Sequence, residues 1–117
     1  MKVLIVEDNL SVRQILKTVV EPLANEIDEC GDGSDALLLY ASGCPDFVLM
    51  DIDLGEMDGI TATRKIRAAD PNAKIIIVTN YDEADLREEA SRAGAYGYVL
   101  KENLLDVLTL LQTDSNH

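Results

Sequence analysis

The sequence predicts an α/β domain, a doubly wound parallel sheet of five strands with the connectivity (βα)5. Three observations predict it. Short strand-like stretches recur five times, four of them apolar, at 2–6, 47–50, 74–78 and 95–100, and one polar, at 25–30, and each is followed by apolar residues at helical spacing. The runs at 2–6, 47–50 and 74–78 are unbroken rather than alternating, as strands buried on both faces require. Glycine, proline and capping residues punctuate the boundaries, and the alternation implies right-handed crossovers.

Each element has its own signal. Residues 2–6 are rich in valine and isoleucine and read as a first buried strand ending in Glu7-Asp8. Asn9 is a good N-cap for a helix carrying Val12, Ile15, Leu16, Val19 and Leu23, which Pro22 closes. Residues 25–30 form a weak strand with Ile27 alone among acids, a polarity that suits a sheet edge. Gly31-Asp32-Gly33 is a turn, and Ser34 is expected to cap a second helix with Ala36, Leu37, Tyr40 and Ala41 on its inner face, stopped by Gly43 and Pro45. Phe47-Val48-Leu49-Met50 is the central strand and runs straight into Asp51. Asp58 is expected to cap a third helix with Ile60, Thr63, Ile66 and Arg67, ending before Pro71. Residues 74–78 form a strand that ends in Thr79-Asn80, and Asp82 is expected to cap a fourth helix with Leu86, Ala90 and Ala93, stopped by Gly94. Residues 95–100 form a short strand ending in Lys101. Asn103 is expected to cap a last helix with Leu104, Val107, Leu108 and Leu111, and residues 113–117 to fray.

The bulk composition narrows the function classes. The 117 residues suffice for one domain with a real core, and 47% hydrophobic residues is an ordinary globular value. Ten basic residues against twenty-two acids give a net charge of −12, a field that repels a phosphate backbone and argues against direct nucleic-acid contact. No apolar run approaches the roughly 18 residues of a membrane helix. The N-terminal run is too short for a signal peptide, so a cytoplasmic location is expected. Cys30 and Cys44 form no metal or disulfide pattern and read as two small buried or half-buried hydrophobes.

The strand ends carry the chemistry. Glu7 and Asp8 follow the first strand, Asp51 the third, Thr79 the fourth and Lys101 the fifth. In a parallel sheet all carboxyl ends lie along one edge, where open α/β sheets place their ligand crevices. Three carboxylates there repel one another and invite a hard divalent cation, for which Mg²⁺ fits. A lysine and a threonine opposite offer an ammonium and a hydroxyl to phosphate oxygens. A carboxylate beside both is a known type of covalent nucleophile, giving an acyl phosphate. Taken singly each residue has a plain reading: Asp51 opens a turn, Glu7-Asp8 favour the dipole of the first helix, Thr79 ends a strand and Lys101 is solvated. The set is far harder to explain that way.

Over essentially its whole length the sequence resembles the receiver domain of two-component response regulators. Val3-Leu4-Ile5-Val6-Glu7-Asp8-Asn9 resembles the family's acidic metal-binding segment, and Val48-Leu49-Met50-Asp51-Ile52 with Met57-Asp58-Gly59 its phosphoacceptor segment. Ile77-Val78-Thr79 resembles the switch-threonine segment, and Gly97-Tyr98-Val99-Leu100-Lys101 the switch aromatic and lysine. The resemblance implies a flavodoxin-like receiver fold over 1–117, with no output domain in this chain, and a regulatory switch rather than an enzyme, one that assists its own phosphorylation and dephosphorylation. It implies that Asp51 accepts a phosphoryl group from a sensor histidine kinase or a histidine phosphotransfer protein. It assigns Mg²⁺ to Glu7, Asp8, Asp51 and the backbone carbonyl of Asp53, and the phosphoryl oxygens to Lys101 and Thr79. Tyr98 would move between outward and inward rotamers, altering the surface of the fourth helix, fifth strand and fifth helix, where an output domain or a second copy would dock. The chain reads equally as a stand-alone receiver or as one cut from a longer regulator.

The sequence departs from the family pattern at Gly55, where proline is common, and at Glu102, where a cis-proline is often found. Glycine is expected to leave its loop more mobile while still able to turn. A non-proline cis bond costs about 2.5–4 kcal/mol, so a trans Lys101–Glu102 bond or a strained cis one is expected. Asp53 and Tyr81, each two residues past a key position, are expected to set the phosphoryl lifetime. Three rivals stand beside this reading. Two are enzymes: a Toprim-like metal site, and a haloacid-dehalogenase-like phosphatase using Asp51-x-Asp53. The third is a receiver-like binding module that works without phosphorylation. Leu105 and Leu110 are expected off the core face of the last helix, as surface leucines or part of a partner face.

Overall fold

The computed structural model describes residues 1–115. Five parallel strands, β1 (Lys2–Val6), β2 (Glu26–Cys30), β3 (Phe47–Met50), β4 (Ile75–Thr79) and β5 (Gly97–Leu100), form one sheet in the order β2-β1-β3-β4-β5. The helices are α1 (Leu10–Val20), α2 (Gly33–Gly43), α3 (Gly59–Ala69), α4 (Ala84–Arg92) and α5 (Leu105–Ser115). The acid-rich β2 lies at an edge, and the apolar β1, β3 and β4 lie inside.

Successive side chains of a strand point to opposite faces, so each central strand feeds two cores. Leu4, Val6, Val48, Met50, Ile75 and Ile77 face one side, where Ala36 of α2, Ile60, Ala62 and Ile66 of α3 and Ala90 of α4 cover them. Val3, Ile5, Phe47, Leu49, Ile76 and Val78 face the other, under Leu16 and Val20 of α1 and Val107 and Leu111 of α5. The strand order reverses between β1 and β3, and the chain leaves both at the same edge of the sheet.

Several local expectations are corrected. The cap of α2 is Asp32, whose carboxylate accepts the Asp35 N–H at 2.7 Å, and not Ser34. The same helix ends with Cys44 in the left-handed region at φ 44°, while Gly43 is its last helical residue. A Cβ on Gly43 would sit 2.8 Å from Lys2 Nζ, so close approach explains that glycine. Cys44 is exposed, and only Cys30 is buried. Ile15 (51% exposed) and Ala41 lie off the core, and Val20 takes the inner position on α1. Asp82 does not cap α4, because Arg87 draws its carboxylate away at 2.6 Å; Glu83 stands at the cap without a side-chain bond. A 3-10 turn, Lys101–Asn103, precedes α5, so Asn103 lies in that turn rather than at the start of the helix. Helix α5 continues through 113–115, and the rest of the tail expected to fray lies outside the described residues. Leu105 is 71% exposed, whereas Leu110 is half-buried and covers Gly97.

Candidate functional site

The carboxyl ends of β1 and β3 open into a crevice of about 360 Å³ lined by Glu7, Asp8, Asp51, Asp53 and Lys101, with Val12, Ile15 and Leu104 as an apolar wall. The sheet register creates it. Val6 pairs with Met50, so Glu7 and Asp51 leave adjacent strands at the same level, and the Asp51 N–H donates to the Val6 carbonyl at 3.0 Å. Ligand oxygens of Glu7, Asp8 and Asp51 all lie within 4.8 Å of one another.

Burial sorts the three acids. Glu7 is 1% exposed and Asp51 5%, while Asp8 is exposed. Lys101 reaches back from the end of β5, placing Nζ 2.8 Å from Glu7 Oε1 and 3.2 Å from Asp51 Oδ2. The other Glu7 oxygen accepts the Asn9 N–H at 3.1 Å, and Asp51 Oδ1 accepts the N–H of Ile52 at 2.8 Å. Burial works against the charge on Glu7, but Lys101 and the Asn9 N–H outweigh it and hold its pKa below the usual carboxylate value. Asp51 goes the other way. Burial and the neighbouring Glu7 charge push it up to about 6, against the opposing pull of Lys101. Lys101 is held above its ordinary value despite burial, by Glu7 and Asp51. Three carboxyl groups whose oxygens cluster this closely are a fitting seat for a hard cation.

The remaining expected residues form the neighbouring rim. Thr79 is fully buried at the end of β4, and its Oγ1 accepts the Tyr81 N–H at 3.2 Å. The Tyr81 hydroxyl donates to Asp53 Oδ2 at 2.7 Å, and the Tyr98 hydroxyl donates to the Tyr81 carbonyl at 2.6 Å. The Asp53 carboxylate is thus committed to Tyr81. Gly55 has φ +85° with open space around it, so its backbone needs glycine and the loop turns there. No described peptide bond is cis, which leaves Lys101–Glu102 trans.

Two contributors, Arg13 and Arg87, escaped the sequence reading, and a third, Gly59, was read only as part of a motif. Arg13 donates from Nε and Nη2 to the Glu7 carbonyl at 3.0 and 2.7 Å, fixing the strand end that presents the acid. Its signal was faint: a cation one turn past the Asn9 cap, on the helix that follows the acidic pair. Gly59, read in the sequence only as part of Met57-Asp58-Gly59, lets α3 press against the loop that follows β3, since a Cβ there would fall 1.8 Å from the Asp51 carbonyl oxygen. The guanidinium of Arg87 lies over the Tyr98 ring, 4.6 Å from its centroid, while bonding Asp82.

A doubly wound sheet with buried acids and a lysine at its switch point defines a class of phosphate-handling α/β domains. The response regulator receiver domain model matches residues 3–111, and the chain belongs to that family. It is 40% identical over 110 residues to the regulatory protein AtoC of Escherichia coli, covering 94% of this chain and 24% of AtoC. It is 38% identical to the chemotaxis protein CheY of Thermotoga maritima, covering 86% of this chain and 84% of CheY. A LuxR-family response regulator from Aurantimonas superposes with a TM-score of 0.89 at 31% identity, over 96% of this chain and 82% of the other. The CheX–CheY–BeF3–Mg complex of Borrelia burgdorferi gives 0.86 at 29%, over 97% and 87%. The chain spans a quarter to a half of the length of relatives such as AtoC and the Bacillus subtilis regulator YxjL. Family membership sets the Toprim and dehalogenase readings aside. No described helix is long and apolar enough to cross a membrane.

Proposed function

We propose that this chain is a phosphorylation switch whose Asp51 takes a phosphoryl group from a phosphohistidine. The observation that carries the reading is Asp51 itself, a buried carboxylate at the switch point, raised to about 6 and contacted by Lys101 at 3.2 Å. An Asp51 oxygen attacks phosphorus, an O–P bond forms, the N–P bond of the donor breaks, and the imidazole nitrogen leaves with the electron pair. Lys101 shifts from its carboxylate partners to the new phosphoryl oxygens, and Thr79 gives up the Tyr81 N–H to donate its hydroxyl there. Glu7, Asp8, Asp51 and the Asp53 carbonyl would hold Mg²⁺, which when bound supplies positive charge against the transferring phosphoryl group. The fit rests on the clustered carboxylate oxygens, the hard ligands such a cation takes.

The donor is a sensor histidine kinase or a histidine phosphotransfer protein in the cytoplasm. The apolar wall of Val12, Ile15 and Leu104 offers a protein donor something to bury that a free phosphate would not use. The output is a change in the α4-β5-α5 face, read by another domain or a second copy, and 1–117 is the receiver unit. The bond between Tyr81 and Asp53 supports their acting together on phosphoryl lifetime. An unchanged dephosphorylation rate in both Asp53→Asn and Tyr81→Ala would overturn that part.

Intact mass after incubation with acetyl phosphate, with and without Mg²⁺, tests the core of the reading. The expected result is one added phosphoryl group, dependent on Mg²⁺ and lost in Asp51→Asn. No gain in the native chain would favour a receiver-like module that works without phosphorylation.

A further inference from the structure

The ladder that holds β1 runs out at Glu7. The Glu7 N–H still donates to the Cys30 carbonyl at 3.0 Å, and the Val6 carbonyl still accepts the Asp51 N–H at 3.0 Å. The Glu7 carbonyl lies past those bonds, and there Nε and Nη2 of Arg13 both donate to it, at 3.0 and 2.7 Å. Arg13 stands near the start of α1 with only 18% of its side chain exposed. Glu29 Oε1 lies 3.9 Å from Arg13 Nε, but Lys17 takes the other Glu29 oxygen at 2.8 Å, so the guanidinium stays with the carbonyl. Gly31, just past β2, leaves it room, since a Cβ there would lie 3.0 Å from Arg13 Nη2.

We propose that Arg13 is a positioning residue for the cation site: its two-point fork fixes the Glu7–Asp8 peptide and so sets where both acids present their oxygens. This rests on the Mg²⁺ reading of those acids given above. Adjacent residues of an extended strand point to opposite faces. Glu7 is buried and Asp8 exposed, yet their oxygens lie within 4.8 Å of each other and of Asp51. They converge because the backbone bends at Asp8, and the peptide that enters the bend is the one Arg13 grips. A planar fork fixes a carbonyl in a way that a single ammonium does not. Charge and geometry here act in opposite directions. A cation near the site repels Mg²⁺, so by charge alone the loss of Arg13 would tighten binding, whereas loss of the fork loosens it. Groups that orient metal ligands without touching the metal commonly carry about 10- to 100-fold in affinity.

The test is a Mg²⁺ titration of the full chain, followed by the NMR amide signals of Asp8 and Asp51, beside urea unfolding without Mg²⁺. Arg13→Ala is expected to bind Mg²⁺ about tenfold more weakly. Arg13→Lys, which keeps the charge and loses the fork, should fall between Arg13→Ala and the native chain, and it decides the matter alone if Arg13→Ala does not fold. Gly31→Ala presses a methyl on the guanidinium and changes no charge, so it should weaken binding in the same direction by less. A native chain whose signals ignore Mg²⁺ would remove the cation reading, and the role of Arg13 with it. A native chain that binds, with Arg13→Ala or Arg13→Lys at its midpoint or tighter, would overturn the positioning role alone. A lower urea midpoint in Arg13→Ala with an unmoved Mg²⁺ midpoint would make Arg13 a residue of the fold only and overturn it as well.

Discussion

The two sides of the crevice are held by different kinds of bond. On the β1, β3 and β5 side, the buried carboxyl groups of Glu7 and Asp51 meet the half-buried ammonium of Lys101 and are braced by Arg13 and the Asn9 N–H. On the β4 side, Tyr81, Asp53, Tyr98 and Arg87 meet through neutral or half-exposed contacts at the rim. Charges confined at low dielectric cannot be rearranged cheaply, whereas exposed hydroxyl and ring contacts exchange with water at little cost. The first side is thereby the costly one to rearrange and the second the adjustable one. This division can be broken by showing that the rim is as costly to disturb as the charged side.

The largest effect is expected from Gly59→Ala. The new methyl would overlap the Asp51 carbonyl oxygen at 1.8 Å and crowd Met50, so α3 must back away from the end of β3. A loss of about 3 kcal/mol or more in urea unfolding is expected, with a weaker response to acetyl phosphate in the protein that remains folded. A loss under about 1 kcal/mol would mean that the charged side is not rigid.

Lys101→Met comes next. It leaves Glu7 buried with no cation, and breaking a fully buried pair costs about 3–5 kcal/mol. The Lys101 side chain keeps 16% of its exposure, so about 2–3 kcal/mol is the expected loss. Glu7→Gln combined with Lys101→Met should recover part of it, because the orphaned charge is then gone, and a double-mutant cycle by urea unfolding reads the coupling. Tyr98→Phe sharpens the contrast from the other side: it removes one bond at the rim, with an expected cost of about 0.5 kcal/mol. A cost matching that of Lys101→Met would erase the distinction between the two sides.

Local pattern reached some of this architecture and missed the rest for identifiable reasons. Unbroken apolar runs announced β1, β3 and β4, and the lone Ile27 among acids announced the edge strand β2. Once the alternation of strands and helices was read, the strand ends placed Glu7, Asp8, Asp51, Thr79 and Lys101 along one edge. Caps were less legible, because a capping side chain has competitors: Asp82 had the right chemistry for α4 but bonds Arg87 instead. Cys44 shows the limit of residue preference, since the left-handed position fell to a cysteine while Gly43 was needed for its closeness to Lys2. The Tyr81–Asp53 bond joins residues 28 apart, and no spacing rule predicts which side chains meet across loops.

A second tyrosine–aspartate bond, far from the crevice, supplies the smallest test. The Tyr40 hydroxyl on α2 donates to Asp70 Oδ2 at the end of α3, at 2.6 Å, against 2.7 Å for Tyr81 and Asp53. The hydrogen bond from Tyr40, with one from the Asn72 N–H, holds the Asp70 pKa below its ordinary 3.8, while burial and Asp70 raise the Tyr40 phenol above its ordinary 10. A depressed carboxylate contributes stability that is present above its unfolded pKa and lost as pH falls through the folded one. A raised phenol contributes stability that is present below its unfolded pKa and lost as pH rises through the folded one. The stability difference between the native chain and Tyr40→Phe should therefore be level across the neutral range. It should shrink below pH 3.8 and above pH 10, the two ordinary values. Urea unfolding across pH measures it, and a difference that stays level below pH 3.8 and above pH 10 would mean that the bond contributes nothing to the folded state.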